Sequence, residues 1–365
     1  MKKKRVESGK KAKIKQRKSY STEETWLEEM DVRSSTGRVQ SKKEETRTLI
    51  KAGQAPEGMI DASGHVMAVG GRTWFVQSES GEVFECLPAG TVFAMHEDTS
   101  LLAVGDHVGI VFVDDGTGIK KGSIVEVGKR TSQLSRKGIG KHAGEQVIIS
   151  NVDSILIVMS AADPFYNKRL LDRYLIAAEL GKLEPLICIN KIELMDQELI
   201  AEDLAVYSDT LKIPMMFTSV AEGIGIKELS EALRGHSTVL SGPSGVGKSS
   251  LINAITGEEL QRTGEVSERT WKGKHVTSSA RLFAMPGGGF LADTPGLREL
   301  GIWDMHPDDT AFYFHDFDAW YPKCKFTSCT HRHEPDCAVK QAVEEELIEP
   351  ERYVSYLQIV ESLEE

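Results

Sequence analysis

Gly242-Pro243-Ser244-Gly245-Val246-Gly247-Lys248-Ser249 fits G-x-x-x-x-G-K-[ST], the pattern of a phosphate-binding loop. Its glycines let backbone N–H groups wrap a polyphosphate. Lys248 can reach the β and γ oxygens, and the Ser249 hydroxyl can ligate Mg²⁺. The expected contacts are Gly242, Ser244, Gly245, Val246, Gly247, Lys248, Ser249 and Ser250. Thr238 to Ser241 reads as the strand that feeds the loop, and Lys248 to Thr256 as the helix it opens.

Upstream of the loop the rhythm is already α/β. Ser154-Ile155-Leu156-Ile157-Val158-Met159 is a continuous apolar run, as expected of a strand covered on both faces. A helix over Arg169 to Leu180 follows. Then come a strand at Pro185 to Ile189, a helix near Asp196 to Val206, a strand at Pro214 to Thr218 and a helix near Ile226 to Leu233. This alternation predicts a mainly parallel, doubly wound sheet with nucleotide at the C-terminal ends of its strands.

Three further motifs complete a nucleotide site. Asp293-Thr294-Pro295-Gly296 follows the apolar run Phe290-Leu291-Ala292. A carboxylate there can hold Mg²⁺ through water, and the Gly296 N–H can sense the γ-phosphate. Asn190-Lys191-Ile192-Glu193 resembles the guanine reader N-K-x-D, with Glu in place of Asp. Its carboxylate sits one methylene further out, which puts guanine selectivity in question. Thr218-Ser219-Val220 looks like the loop that backs the base. Between phosphate loop and D-T-P-G lies Gly273-Lys274-His275-Val276-Thr277-Ser278, which suits a mobile switch. Thr277 is the first choice as the Mg²⁺ hydroxyl, and Ser278 is the alternative. Leu297 follows D-T-P-G where a water-orienting glutamine would stand, so His275 is the local candidate for that task. A surface histidine without a catalytic role is the plainer account of it.

The N-terminal third reads differently. From Gly58 to about Arg130, five short β-type runs are separated by Gly-rich turns, which suits a small closed barrel such as an OB-fold. Trp74, Phe75 and Phe84 are candidate base-stacking platforms, with core packing the cheaper explanation of each. Residues 1–55 are polar and lack sustained periodicity, so they are expected to be a disordered extension. Residues 2–18 carry ten Lys/Arg and one acid, although the net charge of the chain is −11. Such an arm suits RNA phosphates, or is merely solvated. No apolar run approaches the roughly 18–20 residues of a membrane span, and the N-terminus lacks the apolar core of a secretory signal. The expectation is a cytoplasmic protein acting as a monomer.

Cys86 and Cys188 sit alone in strand-like runs and read as buried thiols. The other three cysteines cluster: Cys324-x₄-Cys329-x-His331-x₅-Cys337 supplies three thiolates and an imidazole, a set suited to a closed, structural Zn²⁺ site. His333 is a rival ligand.

The motifs run in the order base reader, base-backing loop, phosphate loop, switch, D-T-P-G, a circular permutation of the usual GTPase order. Together with Leu134-Ser135-Arg136, Asp172-Arg173-Tyr174-Leu175, Gly273-Lys274-His275 and Pro286-Gly287-Gly288-Gly289, they resemble the ribosome small subunit-dependent GTPase A (RsgA) family from about Gly58 onward. The resemblance implies a GTPase of late small-subunit maturation, stimulated by that subunit. It also implies that an OB-fold and a zinc domain grip ribosomal RNA, that His275 is linked to hydrolysis, and that His331 is the imidazole ligand. The expected architecture is multidomain: an extension at 1–55, an N-terminal OB-fold β-barrel at 56–133, a central circularly permuted α/β P-loop GTPase domain at 134–302, and a mainly helical zinc-binding domain at 303–365. One rival is a permuted GTPase of large-subunit assembly, which would lack the barrel and zinc cluster. Another is an RNA-binding module in which nucleotide is only structural. A P-loop kinase would have no use for the base reader.

Overall fold

Alternation of apolar and polar side chains builds the N-terminal region of the computed structural model, which describes residues 48–96, 100–114, 116, 118–137, 145–257, 280–293 and 305–364. Strands β2 (Ala62–Gly70), β3 (Thr73–Ser78), β4 (Val83–Ala94), β5 (His107–Val113) and β6 (Lys121–Val127) close on themselves. β2 pairs antiparallel with β3 and β5, β3 with β4, and β5 with β6. The parallel pair β4–β6 shuts the barrel. This order, with its single parallel closing pair, is that of an OB-fold barrel. Val66, Val76, Phe84, Cys86, Val108, Ile110, Ile124 and Val127 fill its interior. Phe75 and Phe84 are therefore core residues, in keeping with the cheaper explanation. The aromatic ring this barrel exposes is Phe112, half open to solvent and stacked 5.0 Å from Phe84. A short strand β1 (Leu49–Ala52) lies in the segment expected to be disordered and pairs parallel with Thr91–Ala94 of β4. Residues 1–47, with the basic arm, lie outside the described residues.

A buried ion pair seats the barrel on the next stretch of chain. Arg130 donates through two nitrogens to both oxygens of Asp106, at 2.8 and 2.7 Å. The Ser150 hydroxyl and the Ala103 N–H supply one further bond to each oxygen. With all four bonds made, the fully buried carboxylate is well satisfied. β7 (Gln133–Lys137) and β8 (Glu145–Ser150) form a separate hairpin beside it.

The central region is a three-layer α/β unit. Five parallel strands run in the order β14 (Phe290–Asp293), β12 (Ser237–Ser241), β9 (Ser154–Ser160), β10 (Glu184–Asn190), β11 (Met215–Thr218), and β13 (Arg281–Ala284) adds antiparallel to β14. Ile155, Ile157, Ile187, Ile189, Val239, Leu282 and Ala292 face α1 (Lys168–Leu180) and α2 (Gln197–Asp203). Leu156, Val158, Cys188, Leu240, Phe283 and Leu291 face α3 (Ile226–Leu233) and α4 (Lys248–Thr256). Burial on both faces is why β9 reads as an unbroken apolar run. β12 lies centrally, with strands that precede it in sequence on one side and strands that come after it on the other. That is the physical signature of the permuted order.

The C-terminal region is built from short 3₁₀ turns and helices α5 (Ala338–Glu344) and α6 (Pro350–Glu364) around Phe314, Phe317, Tyr356, Ile359 and Val360. It rests on α1, whose Ile176 joins this core. Polar contacts reinforce the seat: Lys168 with Glu349, Arg169 with Gln358, and Arg173 with Ser362. His315 lies between Glu179 at 2.9 Å and Asp318 at 3.1 Å. Burial alone would lower its pKa, but hydrogen bonds and charge from Glu179 and Asp318 raise it. A raised histidine contributes stability that is fully present below pH 6.5 and lost as pH rises through the folded value. His315→Gln is therefore expected to flatten the thermal midpoint as a function of pH above 6.5. An unchanged pH profile would count against this contact. No helix among the described residues is long and apolar enough to cross a membrane.

Candidate functional site

β12 delivers the chain to the C-terminal edge of the sheet, where the loop must turn sharply before α4. Gly242 takes φ 149°, and a Cβ there would collide with the Val158 carbonyl oxygen. Gly247 takes φ 97°, and a Cβ there would strike the Asn190 amide. Only glycine satisfies both demands. Val246 is buried among the residues packed beneath α4 and anchors the loop, while Ser244 and Gly245 are exposed. Lys248 donates from Nζ to the carbonyls of Gly242 (2.7 Å) and Pro243 (2.8 Å), which holds its ammonium across the loop. Ser249 and Ser250 are exposed on the first turn of α4. Loop N–H groups, a helix N-terminus and an ammonium together favour a polyphosphate.

Asn190 ends β10 and is 2 % exposed. Its Nδ2 donates to the Val246 carbonyl at 2.8 Å, and its Oδ1 accepts from the Thr218 hydroxyl at 3.1 Å. One side chain thus joins the ends of β10 and β11 to the 242–249 loop. Lys191 turns left-handed at φ 60° and its Nζ donates to the Asp163 carbonyl. Glu193 is exposed on the single 3₁₀ turn Ile192–Leu194. Ser219 follows β11, fully buried, and its hydroxyl accepts from the Glu222 N–H at 3.1 Å. The Cys188 thiol, pushed up to about 12 by burial, lies 3.3 Å from the Thr218 hydroxyl and serves packing.

Asp293 is the last residue of β14, in register with Leu240 on β12. The structure so brings residues 242–250, Asn190, Lys191, Glu193, Thr218, Ser219 and Asp293 to one edge of one sheet. His275, Thr277, Ser278 and Gly296 lie outside the described residues. A serine hydroxyl and a carboxylate are hard oxygen donors of the kind Mg²⁺ takes beside phosphates. Sequence motifs did not point to the 161–167 loop. Pro164 packs 3.5 Å from where a Gly245 Cβ would stand, and the Asp163 carbonyl holds Lys191. Asn167, whose side chain caps α1, and the turn-prone pair Asp163-Pro164 are local signals of this loop.

A second centre lies in the C-terminal region. The ligand atoms of Cys324, Cys329, His331 and Cys337 all fall within 4.8 Å of one another. His331 Nδ1 is 3.6 Å from Cys324 Sγ and 3.4 Å from Cys337 Sγ, and the two sulfurs are 3.9 Å apart. Metal–sulfur bonds of about 2.3 Å place tetrahedral sulfurs about 3.8 Å apart, so the donors fit zinc. Burial, followed by the neighbouring thiols, pushes Cys329 up to about 12 and raises Cys337. Burial lowers His331, which favours the neutral imidazole a metal needs. His333 is exposed and outside the cluster. Tyr353 donates to the His331 carbonyl at 2.6 Å, and Glu334 accepts from the Thr330 hydroxyl and the Thr330 and Arg332 N–H groups. Burial alone would raise Glu334, but these bonds bring it down to about 2.

Comparison with known proteins gives one answer. The RsgA GTPase family matches residues 127–303. The small ribosomal subunit biogenesis GTPase RsgA of Chlorobaculum parvum is 41% identical over 307 residues, which span 83% of this chain and 98% of that protein. Its namesake from Gemmatimonas aurantiaca is 39% identical over 303 residues, spanning 82% and 97%. The crystal structure of YjeQ from Thermotoga maritima superposes with a TM-score of 0.62 at 31% identity, over 83% of this chain and 98% of that one. YloQ, described as a circularly permuted GTPase, gives 0.61 at 27% identity over 85% and 98%. With the family match over 127–303 and relatives up to 41% identical along nearly their whole length, the protein belongs to the RsgA GTPase family.

Proposed function

We propose that this protein binds the small ribosomal subunit through its rRNA, acts late in subunit maturation, and hydrolyses GTP to GDP and phosphate at a rate the subunit stimulates. The observation that carries this reading is the hydrogen bond from Asn190 to the Val246 carbonyl, which couples a guanine reader to a phosphate loop. Relatives about 40% identical over nearly their whole length bear a small-subunit biogenesis name. Asn190 and Lys191 frame the base, Glu193 accepts from guanine, and Thr218 and Ser219 back it. Residues 242–250 cradle the phosphates, with Lys248 on the β and γ oxygens. Ser249, Thr277 and Asp293 would hold Mg²⁺, which neutralises developing phosphate charge. Gly296 senses the γ-phosphate and His275 orients water. Cys324, Cys329, His331 and Cys337 would hold a structural Zn²⁺. The protein works as a cytoplasmic monomer.

Turnover of GTP, ATP and XTP with purified small subunits, large subunits or none tests partner, activity and base selectivity together. GTP with small subunits is expected to be fastest. Lys248→Ala is expected to lose about a hundredfold or more, the scale of removing one preorganised charge donor. Equal inertness of wild type and His275→Ala with small subunits present would sink the enzyme reading.

A further inference from the structure

Among the described residues, strand pairing joins the barrel to the GTPase sheet through β13. β13 pairs antiparallel with β14 on one side and with β2 of the barrel on the other. Arg281 is in register with both partners, opposite Asp293 on β14 and opposite Ala68 on β2. Residues directly opposite across an antiparallel pair share a face, their Cβ atoms about 4.5–5.5 Å apart. The core shows which face this is. Phe283, two residues along β13, packs in the cluster beneath α4, as do its partner Leu291 and the Asp293 neighbour Leu240. The alternate residues Leu282 and Ala292 belong to the opposite face. Arg281 and Asp293 therefore stand on the side of α4, the helix whose first turn carries Lys248 and Ser249. The guanidinium carbon lies 4.9 Å from the centroid of the Phe283 ring, a cation–π contact that keeps the side chain on this face.

We infer that Arg281 is a positioning residue for Asp293, tying the orientation of this carboxylate to the barrel. The inference rests on the reading of Asp293 as the magnesium carboxylate. A planar guanidinium opposite a carboxylate orients it more tightly than an ammonium does, because its donors form a fixed fork. The backbone of the same residue pairs with the barrel, so a load on β2 reaches Asp293 through one residue. A residue that only fastened two sheets would affect stability but not how nucleotide binding responds to metal.

The test is binding of a fluorescent GDP analogue to the full chain during Mg²⁺ titration, with thermal midpoints measured alongside. Wild type is expected to bind more tightly as Mg²⁺ rises. Arg281→Ala is expected to move the half-saturating Mg²⁺ concentration upward by about threefold or more, and Arg281→Lys to recover part of that shift. Arg281→Gln, close in length, provides the same comparison if the alanine variant fails to fold. A folded Arg281→Ala or Arg281→Gln variant with the wild-type Mg²⁺ midpoint overturns the inference. Wild-type binding that ignores Mg²⁺ overturns the magnesium reading of Asp293 instead, and this inference with it.

Discussion

Cys337→Ser is expected to release one zinc per chain and to melt the turn that carries Cys324, Cys329 and His331. Removing one of four donors leaves an incomplete tetrahedron, and two thiolates with an imidazole hold zinc far more weakly than three do. Without the metal, the segment keeps only brief 3₁₀ turns, a left-handed His331 at φ 57° and the hydrogen bonds made by Tyr353 and Glu334. Apparent metal-linked folding energies in zinc-finger peptides reach about 10–16 kcal/mol at neutral pH. The loss here should be smaller, because Phe314, Phe317, Tyr356 and Ile359 form an apolar core independent of the metal. Metal content and near-ultraviolet circular dichroism before and after chelation provide the check. A variant that keeps stoichiometric zinc would show that the fourth donor is another residue.

Arg352→Ala is expected to cost about 3–5 kcal/mol, the range for breaking a buried ion pair on one side. Arg352 is 3 % exposed and bridges the two regions. It donates bidentately to Asp316, at 2.8 and 3.2 Å, and to Asp172 on α1. Tyr207 donates to the same Asp172 oxygen at 2.8 Å. Burial holds the Asp172 carboxyl above the ordinary range even beside this guanidinium. Without Arg352 the carboxyl is held higher still, so the damage should be greatest near neutral pH and shrink as pH falls and Asp172 takes up a proton. Thermal or urea melts at two pH values decide the matter. A wild-type midpoint at neutral pH would mean that water replaces the guanidinium at no cost.

The phosphate loop, the Asn190 motif and the cysteine spacing were legible in the sequence because their chemistry depends on neighbours a few residues apart. The five barrel strands were legible because half-buried strands alternate. The Arg352 cluster was not, since Asp172 lies 180 residues away in sequence and no local pattern announces it. β1 was missed because its four residues are all exposed, and such a strand carries no burial period. Phe112 escaped notice because exposure is set by how the barrel closes over Phe84, not by residue type. The choice of His331 over His333 needed the family resemblance in the sequence. In the structure it follows from burial.

The central place of β12 has a consequence in time. A ribosome making this chain finishes Asn190 about a hundred residues before Asp293, an interval of about 5–20 s at 5–20 residues per second. Through part of that interval β10 is the only one of β9's two sheet neighbours that exists to pair with it, because β12 has not been synthesised. The usual GTPase order makes the phosphate-loop strand early. This chain makes it late, so nucleotide finds a complete site only when the sheet is nearly closed, and an unpaired strand edge is the hazard that nascent chains carry meanwhile.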